Sequence, residues 1–146
     1  MAAASEAVVN DWNSGIIEEF RANEGRVGGP FEGRPLLLLH HTGRRSGKDF
    51  VAPVMYLPGY DSDTMYVFAS KGGAPGHPEW YYNLTTAGKG AVEVGTEEFS
   101  VLVRELPADE RDRVYAEQAR RYPQFGEYEQ KTAGVRTIPV LELRRS

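Results

Sequence analysis

Cysteine is absent from all 146 residues. That excludes disulfides and thiolate-ligated metals and fits a reducing, cytoplasmic setting. A basic surplus is missing as well: the formal net charge is -4 at pH 7, which argues against a nucleic-acid-binding surface. No apolar run approaches the ~20 residues that a membrane span needs. The first residues, Met1-Ala2-Ala3-Ala4-Ser5, lack the basic flank and long apolar stretch of a signal peptide. What is present suits one folded domain, since 40% hydrophobic residues, with six Phe, eight Tyr and two Trp, can fill a core at this length. No repeat or low-complexity tract interrupts it.

Residues 6–23 read as an amphipathic helix. Val8, Trp12, Ile16 and Phe20 recur every fourth position, and Gly25 and Gly28-Gly29-Pro30 stop the pattern. Such a stripe either packs on the domain or meets a membrane surface, and its acidic polar face counts against anionic lipid. Leu36-Leu37-Leu38-Leu39 predicts a strand buried on both faces. Residues 51–57 predict a second strand, in which Pro53 implies an edge or a bulge. Residues 64–69 predict a third strand, 79–86 a short helix, 91–94 and 99–105 a hairpin, 107–121 a helix and 137–143 a last strand. This order does not alternate regularly, so a doubly wound sheet is disfavoured. A small, mostly antiparallel barrel decorated by helices fits better.

Two glycine-rich loops carry the chemistry. Thr42-Gly43-Arg44-Arg45-Ser46-Gly47-Lys48 and Ala69-Ser70-Lys71-Gly72-Gly73-Ala74 each follow an apolar run. Glycine lets several N–H groups converge on an anion, and Arg and Lys supply charge. The first loop is not a nucleoside-triphosphate loop, because only three residues separate Gly43 from Gly47 and Asp49 follows Lys48. Taken alone it also reads as a basic hairpin turn. His40 and His41 point to opposite faces of a strand and cannot chelate one ion together, and His77 is isolated, so no metal site is expected. A Gly-x-Ser-x-Gly elbow and a Gly-x-Gly-x-x-Gly fingerprint are both missing. Tyr122, Phe125 and Tyr128, spaced by three, predict one side of a helix: either packing or the apolar wall of a pocket for a flat ring.

Five segments then fall in order: Thr42-Gly43-Arg44-Arg45-Ser46-Gly47, Pro53-Val54-Met55-Tyr56, Ala69-Ser70-Lys71-Gly72-Gly73-Ala74, Pro78-Glu79-Trp80-Tyr81-Tyr82-Asn83-Leu84 and Arg136-Thr137-Ile138-Pro139-Val140. This succession resembles the deazaflavin-dependent nitroreductases, a mycobacterial and actinobacterial family, across residues 30–143. The resemblance implies a split β-barrel, mainly β with α, related to that of flavin-binding pyridoxamine oxidases. About six antiparallel strands would occupy residues 30–146, after an N-terminal helix and linker in 1–29. It implies coenzyme F420 as cofactor, whose tail carries a phosphate and a polyglutamate chain. Arg44, Arg45, Ser46, Gly47, Lys71, Gly72 and Gly73 match the tail-binding positions. Trp80 and Asn83 match the lining of the cofactor site. Tyr56 and Ser70 match residues near the ring and the substrate, and Tyr122 and Tyr128 match aromatics that close the substrate pocket.

Two departures stand out. Asp49-Phe50 replaces a basic pair common after the first loop, so one phosphate contact is lost or taken over by Lys48. Phe125 stands where a tyrosine occurs in the best-known members, which makes quinone reduction the more cautious expectation than nitroreduction. The implied chemistry is hydride transfer from reduced deazaflavin to a quinone or nitro substrate. Ser70 would donate a hydrogen bond to the accepting oxygen, Tyr56 or water would deliver the proton, and Tyr122, Phe125 and Tyr128 would stack over the substrate. The rivals are the same barrel with FMN, a non-catalytic F420 carrier, and a scaffold whose N-terminal helix docks peripherally on the inner face of the membrane. Exposed edge strands leave room for a homodimer.

Overall fold

A computed structural model describes the backbone of residues 7–8 and 11–146, and side chains from residue 13 onward. The elements are β1 (Ala7–Val8), α1 (Asp11–Ala22), β2 (Leu36–Thr42), β3 (Asp49–Pro58), β4 (Thr64–Phe68), α2 (Glu79–Ala87), β5 (Lys89–Val94), β6 (Glu97–Glu105), α3 (Ala108–Arg121), α4 (Gln124–Thr132) and β7 (Val140–Arg145). The helix starts later than its periodicity predicts: Ala7 and Val8 instead pair in parallel with Asp49 and Phe50. The side chains of Val8 and Trp12, half of the predicted stripe, lie outside the described residues.

Six strands close into an antiparallel barrel in the order β2-β5-β6-β7-β4-β3, with β3 returning to β2. Alternate residues fill it. Leu37, Leu39, Met65, Val67, Val92, Val101, Leu141 and Leu143 are buried together with Trp80 and Leu84 of α2, as a two-residue period requires. Leu36 and Leu38 face the other way, against Ile16, Ile17, Phe20, Val27 and Val51. This accounts for the unbroken leucine run, with one half inside the barrel and the other half under α1. Pro53 pairs with Leu38 on one side. On its other edge β3 meets β1 only at Asp49 and Phe50 and β4 only from Tyr56 to Pro58. Proline, lacking an N–H, therefore sits in the stretch of β3 without a second neighbour among the described strands.

Antiparallel order also fixes where the loops emerge. In the sequence β2, β5, β6, β7, β4 around the wall, β2 and β4 run the same way. The loops that follow them, 43–48 and 69–74, therefore leave by one mouth of the barrel. α2 covers that mouth. It follows Pro78, begins with Glu79 at the positive helix end, and stops at Gly88, a left-handed cap whose N–H reaches the Leu84 carbonyl at 2.7 Å.

The last helices differ from the sequence reading. Tyr122 ends α3 in extended backbone (φ -132°, ψ 92°), because the proline that follows disfavours helix at the preceding residue. Phe125 and Tyr128 belong to α4, so the three aromatics do not share one helix. The final strand begins at Val140 rather than 137, since Arg111 Nε takes the Ile138 carbonyl at 2.9 Å and the Pro139 carbonyl accepts Ala69 N–H at 3.0 Å.

Candidate functional site

The first glycine loop is a hairpin turn between β2 and β3, closed by Gly43 N–H on the Lys48 carbonyl at 2.8 Å and by Lys48 N–H on Ser46 Oγ at 3.2 Å. Its position is set from below by Asn83 of α2. The Asn83 side-chain oxygen accepts Arg44 N–H at 3.0 Å, while its amide nitrogen lies 2.9 Å from His41 Nδ1. With the oxygen committed to Arg44, Nδ2 must donate to His41, whose Nδ1 must carry a lone pair. Burial, aided by the neighbouring His40, pushes the His41 pKa down to about 4, so the ring stays neutral and keeps that lone pair. Phe50 stacks on the ring at 5.3 Å.

A pH test follows from this arrangement. His41 titrates near its ordinary value when unfolded, so the unfolded chain takes up a proton below about pH 6.5 that the folded protein refuses. Stability from this group is intact above that pH and falls as pH drops toward 4. The shift corresponds to about 3 kcal/mol. Thermal unfolding of wild type and His41→Gln between pH 7.5 and 4.5 should show wild type losing about 2–3 kcal/mol more than the variant. Parallel curves would mean that His41 is not held neutral.

The second loop turns through Ser70 in right-handed backbone, Lys71 at φ 47° and Gly72 at φ 63°. A left-handed lysine costs about 1–2 kcal/mol and needs surrounding contacts to persist. Gly73, at φ +83°, packs so closely on α4 that an added Cβ would lie 3.3 Å from Tyr128 Cα and 3.1 Å from Lys131 Cδ. The loop thus rests on the helix that carries Tyr128.

The cations of both loops are uncommitted. Arg44, Arg45, Lys48 and Lys71 make no ion pair among the described residues, like Arg26, Arg34, Lys89, Arg113, Lys131, Arg136 and Arg144, whereas Arg21, Arg104, Arg111, Arg120, Arg121 and Arg145 each pair with a carboxylate. In a chain of net charge -4, four cations thus stand unneutralised on the two loops at this mouth, a local positive field. The Arg44 guanidinium stacks on Tyr82 at 4.8 Å, and Tyr82 and Tyr81 pack on His77 at 5.8 and 4.8 Å. His77 Nδ1 meets Arg136 Nη1 at 2.9 Å, and Arg136 Nη2 donates to the Ser70 carbonyl at 2.9 Å. An unbroken chain of contacts therefore joins the two loops across the start of α2.

The remaining predicted residues lie in β3, α2, α4 and the turns that follow β4 and α3. Tyr56 N–H donates to the Pro35 carbonyl at 3.2 Å, and next to it the Arg34 guanidinium lies 5.4 Å from the Tyr122 ring and donates to Gln124 at 2.8 Å. Tyr56 packs against the barrel interior, whereas Tyr122 packs against the cluster of Phe68, Tyr115 and Phe125. Burial raises the Tyr56 pKa, which keeps its hydroxyl a neutral donor. The Ser70 side chain is buried, and its hydroxyl makes no hydrogen bond among the described residues. Tyr128 stands beside Phe125 at 5.3 Å, but Phe125 itself is only 5% exposed and sits edge-on to Phe68 and Tyr115. Trp80 likewise anchors α2 in the barrel core. A cavity of about 460 Å³ at the end of α4 is lined by Arg111, Asp112 and Glu129 and also by Arg136. Arg111 pairs there with Asp112 and Glu129, while Arg136 makes no ion pair among the described residues. No group of three His, Cys, Asp or Glu side chains able to hold a metal occurs among the described residues.

The model of the F420H(2)-dependent quinone reductase family matches residues 14–144. The chain belongs to this family. An F420H(2)-dependent quinone reductase of Mycobacterium tuberculosis H37Rv is 33% identical over 135 residues, which is 86% of this chain and 85% of its own length. A solved F420-H2 dependent reductase, FDR-A, superposes with TM-score 0.66 at 34% identity, covering 76% of this chain and 95% of its own. A second solved relative, a domain-swapped dimer, reaches TM-score 0.68 at 31% identity over 92% of this chain and 98% of its own. The split-barrel fold expected from the sequence is the fold of FDR-A. Arg136, His77, His41 and Tyr82 were not singled out by the sequence as site residues of this family member. Each reads as an isolated polar or core residue, and the available signals are the places of Tyr82 and Arg136 in two of the shared segments.

Proposed function

We propose that the chain is an F420H2-dependent reductase of quinones, with nitroaromatics as a second class of acceptor, and that the two loops at the barrel mouth hold the cofactor tail. The observation that carries this reading is the set of unpaired cations, Arg44, Arg45, Lys48 and Lys71, on loops linked through α2. Their chemistry fits a phosphate and carboxylates: forked guanidinium donors, ammonium point charges and glycine-rich backbone. Ser46, Gly47, Gly72 and Gly73 shape the loops. Asn83 sets the height of the first loop, and Trp80 fixes α2 beneath it. When bound, reduced F420 supplies a hydride.

The chain's own residues would then orient the acceptor. Ser70 and Tyr56 are the proposed catalytic donors, because one hydroxyl is free and the other is kept protonated by burial. Tyr122 and Tyr128 would form the apolar wall. Phe125, packed beneath Tyr128, would support that wall from behind. A homodimer is consistent with the domain-swapped relative and with the free stretch of β3. No described helix is long and apolar enough to cross a membrane. Ile16, Ile17 and Phe20 of α1 are buried against the barrel, which counts against membrane contact through those residues.

The test combines binding and turnover. Fluorescence titration should show F420 binding that weakens with salt, and reduced F420 should be consumed steadily when menadione is added. Binding of FMN but not F420 would replace the cofactor. Tight F420 binding without turnover of menadione or a nitroaromatic would reduce the protein to a carrier.

A further inference from the structure

Resting on that reading of the tail site, we infer that Arg136 is a positioning residue for cofactor binding: it grips the carbonyls of the second glycine loop and so turns the free N–H groups of that loop toward the anion. Arg136 Nε donates to the Ala74 carbonyl at 3.0 Å, Nη1 to the Ala69 carbonyl at 3.2 Å and to His77 Nδ1 at 2.9 Å, and Nη2 to the Ser70 carbonyl at 2.9 Å. One planar fork thus ties both ends of a six-residue turn. Burial and the adjacent guanidinium lower the His77 pKa, which suits a neutral ring accepting through Nδ1. All four acceptors are uncharged, so the positive charge of Arg136 is not cancelled by its partners and adds to that of Lys71.

The orientation follows from peptide geometry. In a trans peptide the C=O and the following N–H point in opposite directions. With the Ser70 carbonyl drawn onto Arg136, Lys71 N–H points away from it. Gly73 N–H is spent on the Ser70 carbonyl at 2.9 Å and Ala74 N–H on the Lys71 carbonyl at 3.1 Å. Lys71 and Gly72 N–H have no acceptor among the described residues. The succession of a right-handed Ser70 and a left-handed Lys71 makes consecutive N–H groups converge, an anion-binding concavity. Arg136 touches neither that concavity nor the cofactor in this scheme. It holds the strained Lys71 conformation in place. Lysine could not replace it, because a single ammonium cannot span three carbonyls in one plane.

The experiment measures F420 affinity by fluorescence in wild type, Arg136→Lys, Arg136→Gln, Lys71→Ala and the Arg136→Lys/Lys71→Ala pair. Amide exchange of Gly73 and Ala74 is followed in the cofactor-free protein. Both Arg136 variants should stay folded, bind F420 at least about tenfold more weakly, and exchange those two amides at least about tenfold faster. Lys71→Ala should cost less in the Arg136→Lys background than in wild type, since the ammonium is no longer aimed; a residue that only stabilised the fold would leave that cost unchanged. Wild-type affinity in either variant, or unchanged exchange, overturns the inference. So does loss of folding in both, which would make Arg136 a barrel residue. If wild type itself fails to bind F420, the tail reading falls on its own, and the exchange contrast still decides whether Arg136 holds the loop.

Discussion

Replacing Arg44 and Lys71 together by alanine is expected to weaken F420 binding by about 2–5 kcal/mol, a loss on the order of 30-fold to several thousandfold. The two residues sit on different loops that are linked through Tyr82, His77 and Arg136. Each would make one or two charge-assisted contacts to phosphate or carboxylate, worth about 1.5–3 kcal/mol apiece before solvent screening. Both side chains are exposed and free of ion pairs among the described residues. Folding stability should therefore move by no more than about 0.5 kcal/mol. The separation of the two effects is the informative part: affinity collapses while the melting temperature holds. Titration at rising salt should show the variant losing less affinity than wild type, because fewer charges remain to be screened. Affinity within threefold of wild type would mean that the tail does not lie between these loops.

The second large effect concerns the platform beneath the second loop. Tyr115 is almost fully buried on α3, and its hydroxyl donates to the Phe125 carbonyl at 2.6 Å. Its ring meets Phe68 and Phe125 edge-on at 5.8 and 6.4 Å and lies under the Arg111 guanidinium at 4.5 Å. Burial raises its pKa, so it serves as a neutral donor throughout the working range. Tyr115→Ala removes the ring and leaves a buried carbonyl without its partner. The expected cost is about 3–5 kcal/mol, or roughly 6–20 °C in melting temperature. Tyr115→Phe removes only the hydrogen bond and should cost about 1–2 kcal/mol. Urea unfolding of the three proteins gives the ordering directly. Equal stability of the phenylalanine variant and wild type would show that the Phe125 carbonyl finds another donor. Because α4 carries Tyr128 and packs on Gly73, the alanine variant should also bind quinone more weakly, even when assayed well below its melting temperature.

Much of the fold was legible in particular residues. The Leu36–Leu39 run announced a strand covered on both faces, and the barrel core and α1 cover those faces. Pro53 announced an edge, and β3 has one there. The first basic glycine loop allowed a plain hairpin turn as well as an anion site, and it is the turn between β2 and β3. Other features were misjudged for identifiable reasons. The stripe through Val8 suggested continuous helix, but a two-residue segment can gain a sheet partner, Asp49 and Phe50, that no local pattern reveals. The spacing of Tyr122, Phe125 and Tyr128 suggested one helix face, although Pro123 between them carried the signal of a break.

Neighbours along the chain account for period-two burial in the strands, helix stops at glycine and proline, the chemical character of the two loops, and the family resemblance. Which distant groups meet depends on how the barrel closes. His41 and Asn83 lie 42 positions apart, and Arg136 and Ser70 lie 66 apart. Their pairing follows from the order in which six strands close around the barrel, since that order places both loops at one mouth. Local periodicity is fixed by backbone geometry, whereas strand order is chosen by burial summed over the whole core, so the loops and Asn83 could be recognised in the sequence but the pairing of Asn83 with His41 and the grip of Arg136 could not.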